Sequence, residues 1–272
     1  MKKAILIILI ILIVIILLIF FKPENNSIDY NKSLKNELSK IDCYDKRNLN
    51  RYINYLDSNS DLYLEDVVIR VNLNLDKKFY TSTTKSSFLN KNYILVNKYI
   101  YLPEDYVPDN LVNAKLEYSR DGMMLVEEAL LSFEKMYYAA KKDGYKIRIM
   151  SSYRSYQYQV NLYNNYVKKD GVDAADTYSA RPGFSEHQTG LCVDIDDGII
   201  NYQSFEKSRS YIWMKNNSYK YGFIERYPKG KENVTGYSYE SWHYRYVGEK
   251  IATYIHDNNI TFDEYFILYI KK

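Results

Sequence analysis

The chain contains only three histidines among 272 residues, and two of them have a carboxylate nearby in sequence. His187 is followed by Asp194, and His243 is preceded by Glu240. A catalytic zinc site needs about three protein ligands drawn from histidine and carboxylate side chains, with one position left for water. It also needs another carboxylate to take a proton from that water. Two histidines, one aspartate and one glutamate meet this requirement, so the pattern favours metal-dependent hydrolysis.

The residues between the first histidine and its aspartate allow both side chains to reach one ion. Gly190 can turn the chain after His187. The apolar residues at 191–195 then predict a short buried strand that carries Asp194. Two ligands can therefore converge although several residues separate them.

The residues around His243 predict its position less clearly than Gly190 and the strand predict those of His187 and Asp194. On a strand, Trp242 would point away from His243 and pack into the core. Moving Glu240 to the metal requires a bend that the sequence does not predict. Taken alone, either histidine fits a structural role better than a ligand role, and His256, which has polar neighbours in a helical pattern, is expected to be structural.

Helices and strands alternate along the chain and must position these residues. The predicted helices are at residues 46–56, 120–143, 156–168, 205–221 and 249–257, and a capping box starts another at Thr261. Extended patterns begin at Glu65 and cover residues 92–102, 145–151, 191–195 and 239–246, with a loop at 180–184. Because the order follows no strict strand–helix–strand period, the predicted fold class is α+β.

Two spaced motifs contain the candidate ligands: Ser-x-His-x-x-Gly-x-x-x-Asp at residues 185–194 and Glu-x-Trp-His at residues 240–243. They are accompanied by Ser-Ser-Tyr-Arg-Ser-Tyr-x-x-Gln at 151–159 and Ser-Ala-Arg-Pro-Gly-Phe at 179–184. Together these segments resemble the signature of the zinc D-alanyl-D-alanine carboxypeptidases of the VanY type, from about residue 95 to residue 265. One departure is Cys192, where alanine is expected more often; it is small and apolar, and we assign it no function.

The resemblance implies a compact zinc peptidase domain with a small antiparallel sheet flanked by helices. It implies three Zn²⁺ ligands: His187, Asp194 and His243. Glu240 would act as general base toward the metal-bound water and then as acid toward the leaving amine. Arg154 would bind the scissile carbonyl and stabilise the oxyanion. Gln159 and Ser185 would help to bind the peptide.

The implied activity is hydrolysis of the terminal D-Ala–D-Ala bond of peptidoglycan stem peptides or their lipid-linked precursor. An L,D-carboxypeptidase that trims tetrapeptide stems is the alternative, because both enzymes cut before a terminal D-Ala. A non-catalytic, zinc-containing wall-binding module is a second alternative. A serine D,D-peptidase requires Ser-x-x-Lys with a later Lys-Thr-Gly, and the second motif is absent from the sequence.

The amino terminus predicts a single membrane-spanning helix. Ala4 to Phe21 contains no charged or polar side chain, and about 20 apolar residues span a bilayer as a helix. Lys2 and Lys3 predict that the amino end stays in the cytoplasm. The alternative, a cleaved signal peptide, has a shorter apolar region and a small-residue cleavage site.

This reading divides the chain into an anchor (1–22), a polar stalk (23–60) and a catalytic domain (61–272) whose motif core covers 145–250. The expected location is the cell membrane, with the catalytic domain outside the cytoplasm. We expect membrane attachment through the anchor and otherwise a monomer.

Composition excludes several other classes of protein. With 32 Tyr, 10 Phe and 2 Trp, the chain is too aromatic to be disordered. Ten glycines and two cysteines exclude a collagen-like chain and a disulfide scaffold. Cys43 and Cys192 lie in different sequence contexts and are expected not to pair. The net charge is +3, of which Lys2 and Lys3 supply two, so nothing indicates a nucleic-acid partner.

Overall fold

The computed structural model describes residues 32–271, which divide into two units at Val68 and Ile69. The predicted anchor and the first part of the predicted stalk lie outside the described residues. Within residues 32–271, no helix is long and apolar enough to cross a membrane.

The described part of the first unit is helical. Residues 32–38 form a helix, and a 3-10 turn at Lys46–Asn48 leads into helix α1 (Leu49–Ser58). The Asp45 side chain accepts a hydrogen bond from the backbone N–H of Arg47 at 3.0 Å, which caps the turn. The helix predicted at 46–56 is therefore confirmed.

The extended pattern predicted from Glu65 is wrong, because helix α2 (Leu64–Asn72) occupies this segment. Val67, Val68 and Val71 are all fully buried. On a strand with one buried face, two consecutive residues would point to opposite sides. Burial of both favours a helix despite the strand propensity of valine.

In the second unit, the described strands form three sheets. Strands β1 (Thr84–Lys85) and β2 (Ile100–Tyr101) are parallel, and β3 (Leu111–Asn113) pairs with β4 (Met124–Val126) in antiparallel fashion. The main sheet is antiparallel, with the order β5–β6–β8–β7. Its strands are β5 (Arg148–Ser151), β6 (Cys192–Asp196), β7 (Phe223–Glu225) and β8 (His243–Tyr246).

Helices surround these sheets, so the predicted combination of helices with a small antiparallel sheet is confirmed. They are α3 (Glu127–Lys142), α4 (Tyr156–Asp170), α5 (Val172–Tyr178), α6 (Arg209–Asn217), α7 (Glu232–Thr235), α8 (Glu249–Asn258) and α9 (Phe262–Tyr265). Short 3-10 helices at Glu186–Thr189, Tyr202–Lys207 and Ser218–Tyr221 connect them. The capping box predicted at Thr261 and Glu264 is present at the start of α9.

Helix α3 supplies one side of the hydrophobic core. Its buried side chains include a stripe, Ala129, Phe133, Met136 and Ala140, whose spacing of three or four residues places them on one face of the helix. The ring of Phe133 lies 6.1 Å from that of Phe223 on β7. The helix begins at Glu127 rather than at residue 120, because the residues before it pair with β3 as strand β4.

Residues 92–102 form much less strand than predicted, with only Ile100–Tyr101 in a ladder. The guanidinium of the buried Arg245 donates to the carbonyl oxygens of Asn92 at 3.0 Å and Ile94 at 2.7 Å. A buried side chain thus satisfies backbone groups that a strand partner would otherwise bind. Sequence periodicity does not reveal this arrangement.

Glu225 on β7 predicts an unusual pH dependence of stability. Burial raises the pKa of its carboxyl to about 7, and the Tyr211 hydroxyl donates to it at 3.0 Å. The folded protein therefore holds a proton that the unfolded chain releases near pH 4.3. Relative to Glu225→Gln, the wild type should lose roughly 3 kcal/mol of stability as the pH rises from about 4 to above 7.

Urea unfolding of both proteins at pH 4.5 and pH 8 measures this difference. The glutamine variant should be the more stable protein only at the higher pH. Equal differences between the two proteins at both pH values would contradict the assignment.

Candidate active site

The pairing of β6 with β8 brings two predicted metal ligands together. Asp194 lies directly opposite His243 in the antiparallel register, so both side chains are on one face of the sheet. The Asp194 Oδ1 atom is 3.1 Å from His243 Nδ1. Both residues are buried.

His187 approaches the same carboxylate from a 3-10 helix. The Ser185 hydroxyl accepts the His187 backbone N–H at 3.3 Å, and Gly190 ends the helix at φ +65°. This left-handed backbone favours glycine, and a Cβ atom at Gly190 would also crowd the side chains of Leu111, Pro108 and Val126, at 2.8–3.2 Å. The turn predicted between His187 and Asp194 is therefore confirmed.

The orientation of the His187 ring is fixed by the backbone. Its Nδ1 lies 2.6 Å from the carbonyl oxygen of Ser152, which can only accept, so Nδ1 carries the proton. The other nitrogen, Nε2, is 3.4 Å from Asp194 Oδ1. The pairing of β5 with β6 shifts register between Ile149 and Ser151, just before this carbonyl group. Such β-bulges are frequent next to active sites.

These donor atoms fit a tetrahedral zinc-type ion. Metal bonds of about 2.0–2.1 Å in a tetrahedral arrangement place neighbouring donor atoms about 3.3 Å apart. Asp194 Oδ1 lies 3.4 Å from His187 Nε2 and 3.1 Å from His243 Nδ1. Burial alone would raise the pKa of Asp194, but His187 and Arg154 hold it well below its usual range. The carboxylate is therefore ionised, as a metal ligand must be.

A second observation supports metal binding through His243. Its Nε2 atom and the Oε2 atom of Glu186 are both buried without a hydrogen-bond partner, and they face each other at 3.5 Å. A metal on Nδ1 leaves the proton on Nε2, where it points to this carboxylate. Metal-bound histidines usually donate their second N–H to such a group.

Glu240 reaches the site through a turn before β8. The His243 backbone N–H donates to the Glu240 carbonyl oxygen at 3.4 Å, and the Glu240 N–H donates to the Tyr227 carbonyl oxygen at 3.1 Å. These bonds make the bend that the sequence did not predict. Glu240 Oε2 lies 3.8 Å from His243 Nδ1, and the side chain is 12% exposed.

The environment of Glu240 suits proton transfer. Burial raises the pKa of its carboxyl to about 7. A general base works best when its pKa lies near the working pH. Beside the metal donors, this carboxylate can take a proton from water and return it.

The three predicted substrate-binding residues line the cleft next to these donors, which has a volume of about 180 Å³. Arg154 donates to Ser151 Oγ at 2.7 Å and to Asp194 Oδ2 at 2.7 Å. Gln159 donates to the Ala180 carbonyl oxygen at 2.8 Å, while its Oε1 is buried without a partner. Ser185 caps the helix that carries His187, so its hydroxyl positions a ligand.

Trp242 lines the cleft, whereas His256 lies outside it. Trp242 packs against the hydrophobic core, as expected, but it is only partly buried, and it also lines the cleft and contacts the Tyr202 ring edge-on at 5.5 Å. It lies in the turn before β8 rather than on the strand. His256 stacks on Tyr219 at 3.7 Å, outside the cleft, as expected for a structural residue.

A buried charge network that the sequence did not predict lies behind the site. Its members, termed the arginine network, are Glu186, Arg226, Arg245 and Asp263. Glu186 Oε1 accepts from Arg226 and Arg245, both at 2.8 Å. Burial alone would raise the pKa of Glu186, but the two guanidinium groups lower it. The sequence contained one signal of this network: Arg245 lies two positions after His243, so both side chains are on the same face of strand β8.

Replacing Glu186 with glutamine should destabilise the fold by about 3 kcal/mol, because it leaves two buried guanidinium groups facing one carboxylate. The affinity for metal should also fall, by about 10–100-fold, since His243 loses its charged partner. Urea unfolding and chelator competition measure the two effects. Glu117→Gln is the control: its pair with Lys141 is exposed, so it should change stability by less than about 1 kcal/mol. Equal behaviour of the two variants would show that the network does not act as described.

The sequence and the structure of this chain are similar to those of known proteins. A family model described as VanY, D-alanyl-D-alanine carboxypeptidase, matches residues 122–249. The putative carboxypeptidase YodJ of Bacillus subtilis strain 168 is 44% identical over 63% of this chain. The structure of the LdcB LD-carboxypeptidase is 40% identical with a TM-score of 0.65, covering 71% of this chain. A vancomycin resistance D,D-pentapeptidase, a VanY variant in complex with Zn(II), is 35% identical with a TM-score of 0.54, covering 64% of this chain.

The coverage differs between these proteins. The chain spans 66% of the length of YodJ, just under two thirds, but 92% of the LdcB chain and 98% of the VanY chain. The family match contains both motifs and Arg154. The chain therefore belongs to the VanY family of D-alanyl-D-alanine carboxypeptidases.

Proposed function

We propose that this protein is a zinc D,D-carboxypeptidase that hydrolyses the terminal D-Ala–D-Ala bond of peptidoglycan stem peptides. The observation that carries the proposal is the convergence of His187, Asp194 and His243 donor atoms, with Glu240 beside them, at the base of a cleft. The Zn(II) complex of a VanY relative supports zinc as the ion.

Each residue has a defined part in this reaction. Bound Zn²⁺ lowers the pKa of a water toward 7 and polarises a carbonyl group. Glu240 Oε2 takes the proton of the attacking water and delivers it to the nitrogen of the leaving D-alanine. The Arg154 guanidinium, held by Ser151 and Asp194, donates to the oxygen of the scissile carbonyl as negative charge develops there.

Gln159 is suited to hold the peptide. Its amide nitrogen is fixed on a backbone carbonyl, which leaves Oε1 free to accept an N–H of the substrate. A buried acceptor without a partner is costly, so a substrate N–H would remove an existing penalty. Ser185 also lines the cleft, but its hydroxyl already accepts the backbone N–H of His187.

L,D-carboxypeptidase activity on tetrapeptide stems is the second candidate. The similarity to the LdcB LD-carboxypeptidase, with its TM-score of 0.65, favours it. Both reactions release D-alanine through the same metal-activated water. They differ in the residue before the cleaved bond, which is D-alanine in one case and an L-centre in the other.

Turnover of defined stems separates the candidates. The purified full-length protein is incubated with pentapeptide and with tetrapeptide stems, and product masses are recorded. Loss of one alanine from the pentapeptide alone supports D,D activity, and conversion of tetrapeptide to tripeptide supports L,D activity. Metal binding without turnover of either stem would instead favour the non-catalytic wall-binding module.

We also propose that residues 1–22 anchor the protein in the cell membrane, that residues 23–60 act as a stalk, and that the catalytic domain faces outward. The apolar run from Ala4 to Phe21 after two lysines supports this orientation. Access to wall stems and lipid-linked precursor would follow. Protease added to wall-stripped intact cells should remove the domain and spare a cytoplasmic marker. Full protection would overturn the topology, and release into the medium would indicate a cleaved signal peptide.

A further inference from the structure

We propose that Tyr239 is a positioning residue for the general base, because side-chain hydrogen bonds that begin at its hydroxyl hold the turn that carries Glu240. These bonds, termed the tyrosine tether, join the hydroxyls of Tyr239 and Tyr211 to the carboxyl of Glu225. The inference rests on the proposed function, since it concerns the part that Glu240 plays in that reaction. The motifs at 185–194 and 240–243 contain none of the three tether residues.

The tyrosine tether runs from the cleft to the main sheet. The Tyr239 hydroxyl donates to the Tyr211 hydroxyl at 3.0 Å, which in turn donates to Glu225 Oε1 at 3.0 Å. Tyr239 lies in the turn before β8 and lines the cleft. Tyr211 lies on α6, and Glu225 is the last residue of β7. Two hydrogen bonds therefore attach the turn to a helix and a strand.

The middle and the far end of the tether are shielded from water. Tyr211 is buried, and Glu225 lies opposite the fully buried Tyr244 in the register of β7 with β8. A polar group that loses its partner in such a place cannot readily bind water instead. Removal of one link therefore leaves the next group unpaired, which favours a single arrangement of the tether.

Glu240 lies between two residues whose side chains are attached to other elements. Before it, Tyr239 is held by the tether. After it, the Ser241 hydroxyl donates at 2.9 Å to Oε2 of Glu206, in the 3-10 helix at Tyr202–Lys207. Within residues 32–271, Tyr239 makes no backbone–backbone hydrogen bond, so its hydroxyl supplies the attachment at this position. A catalytic group displaced by about 1 Å can lose roughly 100-fold in rate.

Phenylalanine substitutions test the tether, because each removes one hydroxyl and keeps the ring. With the stem that the wild type cleaves, kcat of the full-length Tyr239→Phe and Tyr211→Phe variants should fall by about tenfold, while KM changes by less than about twofold. Zinc content should not change, since the tether holds no metal ligand. The double variant should lose no more than either single variant, because both changes break the same tether.

Substitution of Glu225 separates the hydrogen bond from packing. Glu225→Gln keeps a carbonyl oxygen that can accept from Tyr211 and should retain kcat. Glu225→Leu removes the acceptor and should lower kcat as the phenylalanine variants do. The matched control is Tyr246→Phe: its hydroxyl donates to Glu128 Oε1 at 2.7 Å, outside the cleft. This control should lose stability in urea and retain kcat.

The outcomes distinguish this inference from the proposed function. Unchanged kcat in Tyr239→Phe, shown by urea unfolding to be folded, would overturn the inference and leave the proposed function standing. A higher KM at unchanged kcat would also overturn it, because the hydroxyl would then contact substrate. An equal loss of kcat in Tyr246→Phe would reveal a general effect of lost stability and contradict positioning. Zinc-loaded wild type that cleaves neither stem would overturn the proposed function itself.

Discussion

Replacing Glu240 with alanine is expected to lower kcat by about 10²–10⁴-fold while the protein keeps its metal. Glu240 is the carboxylate beside His243 that is not needed as a ligand, and general-base catalysis contributes an effect of this size. The measurement combines single-substrate kinetics on the preferred stem with metal analysis of the same preparation.

The control for this variant is Glu249→Ala, which removes an exposed carboxylate at the start of α8 and should leave kcat unchanged. Near-full turnover by Glu240→Ala would show that another group activates the water. Loss of metal from Glu240→Ala would instead show that this carboxylate is a ligand, which also contradicts the assigned role.

Replacing His243 with alanine is expected to abolish metal retention and turnover together. Asp194 and His187 would remain, and two protein ligands do not make a catalytic zinc site. The contrast with Glu240→Ala is the informative comparison, because only one of the two variants should lose the ion. The metal content per chain after gel filtration measures how much of the ion each variant retains.

His256→Ala is the matched control for the loss of a histidine. His256 stacks on Tyr219 and forms an exposed pair with Asp257, away from the cleft. This variant should retain metal and activity. Full metal content in His243→Ala would remove His243 from the ligand set.

The sequence predicted the parts of the site whose position depends on local chain geometry. Gly190 turns the chain, and the strand that follows carries Asp194. The proximity of Asp194 to His187 could therefore be predicted from one short segment. The stripe on α3 was readable because its apolar spacing is strictly helical. These features need no information about distant residues.

The parts that were missed depend on contacts between distant segments. The bend at Glu240 is made by a hydrogen bond to the carbonyl of Tyr227, and the irregular segment near Ile94 is held by Arg245. Glu186 was visible in the motif beside His187, but its two guanidinium partners come from β8 and the end of β7. Periodicity identifies a strand and its faces, and it does not identify which buried charges meet across the fold.

The valine-rich helix α2 shows a different limit. β-Branched residues favour strands on average, and four of the five residues at 67–71 are valine or isoleucine. Consecutive burial at Val67 and Val68 indicates that tertiary packing decided the outcome.

The most direct test of the account is metal dependence of D-alanine release by the full-length protein. Release from a stem peptide is measured before chelation, after chelation, and after Zn²⁺ is added back. Chelation should stop the release, and added Zn²⁺ should restore it. Undiminished release by protein that metal analysis shows to hold no divalent ion would contradict it.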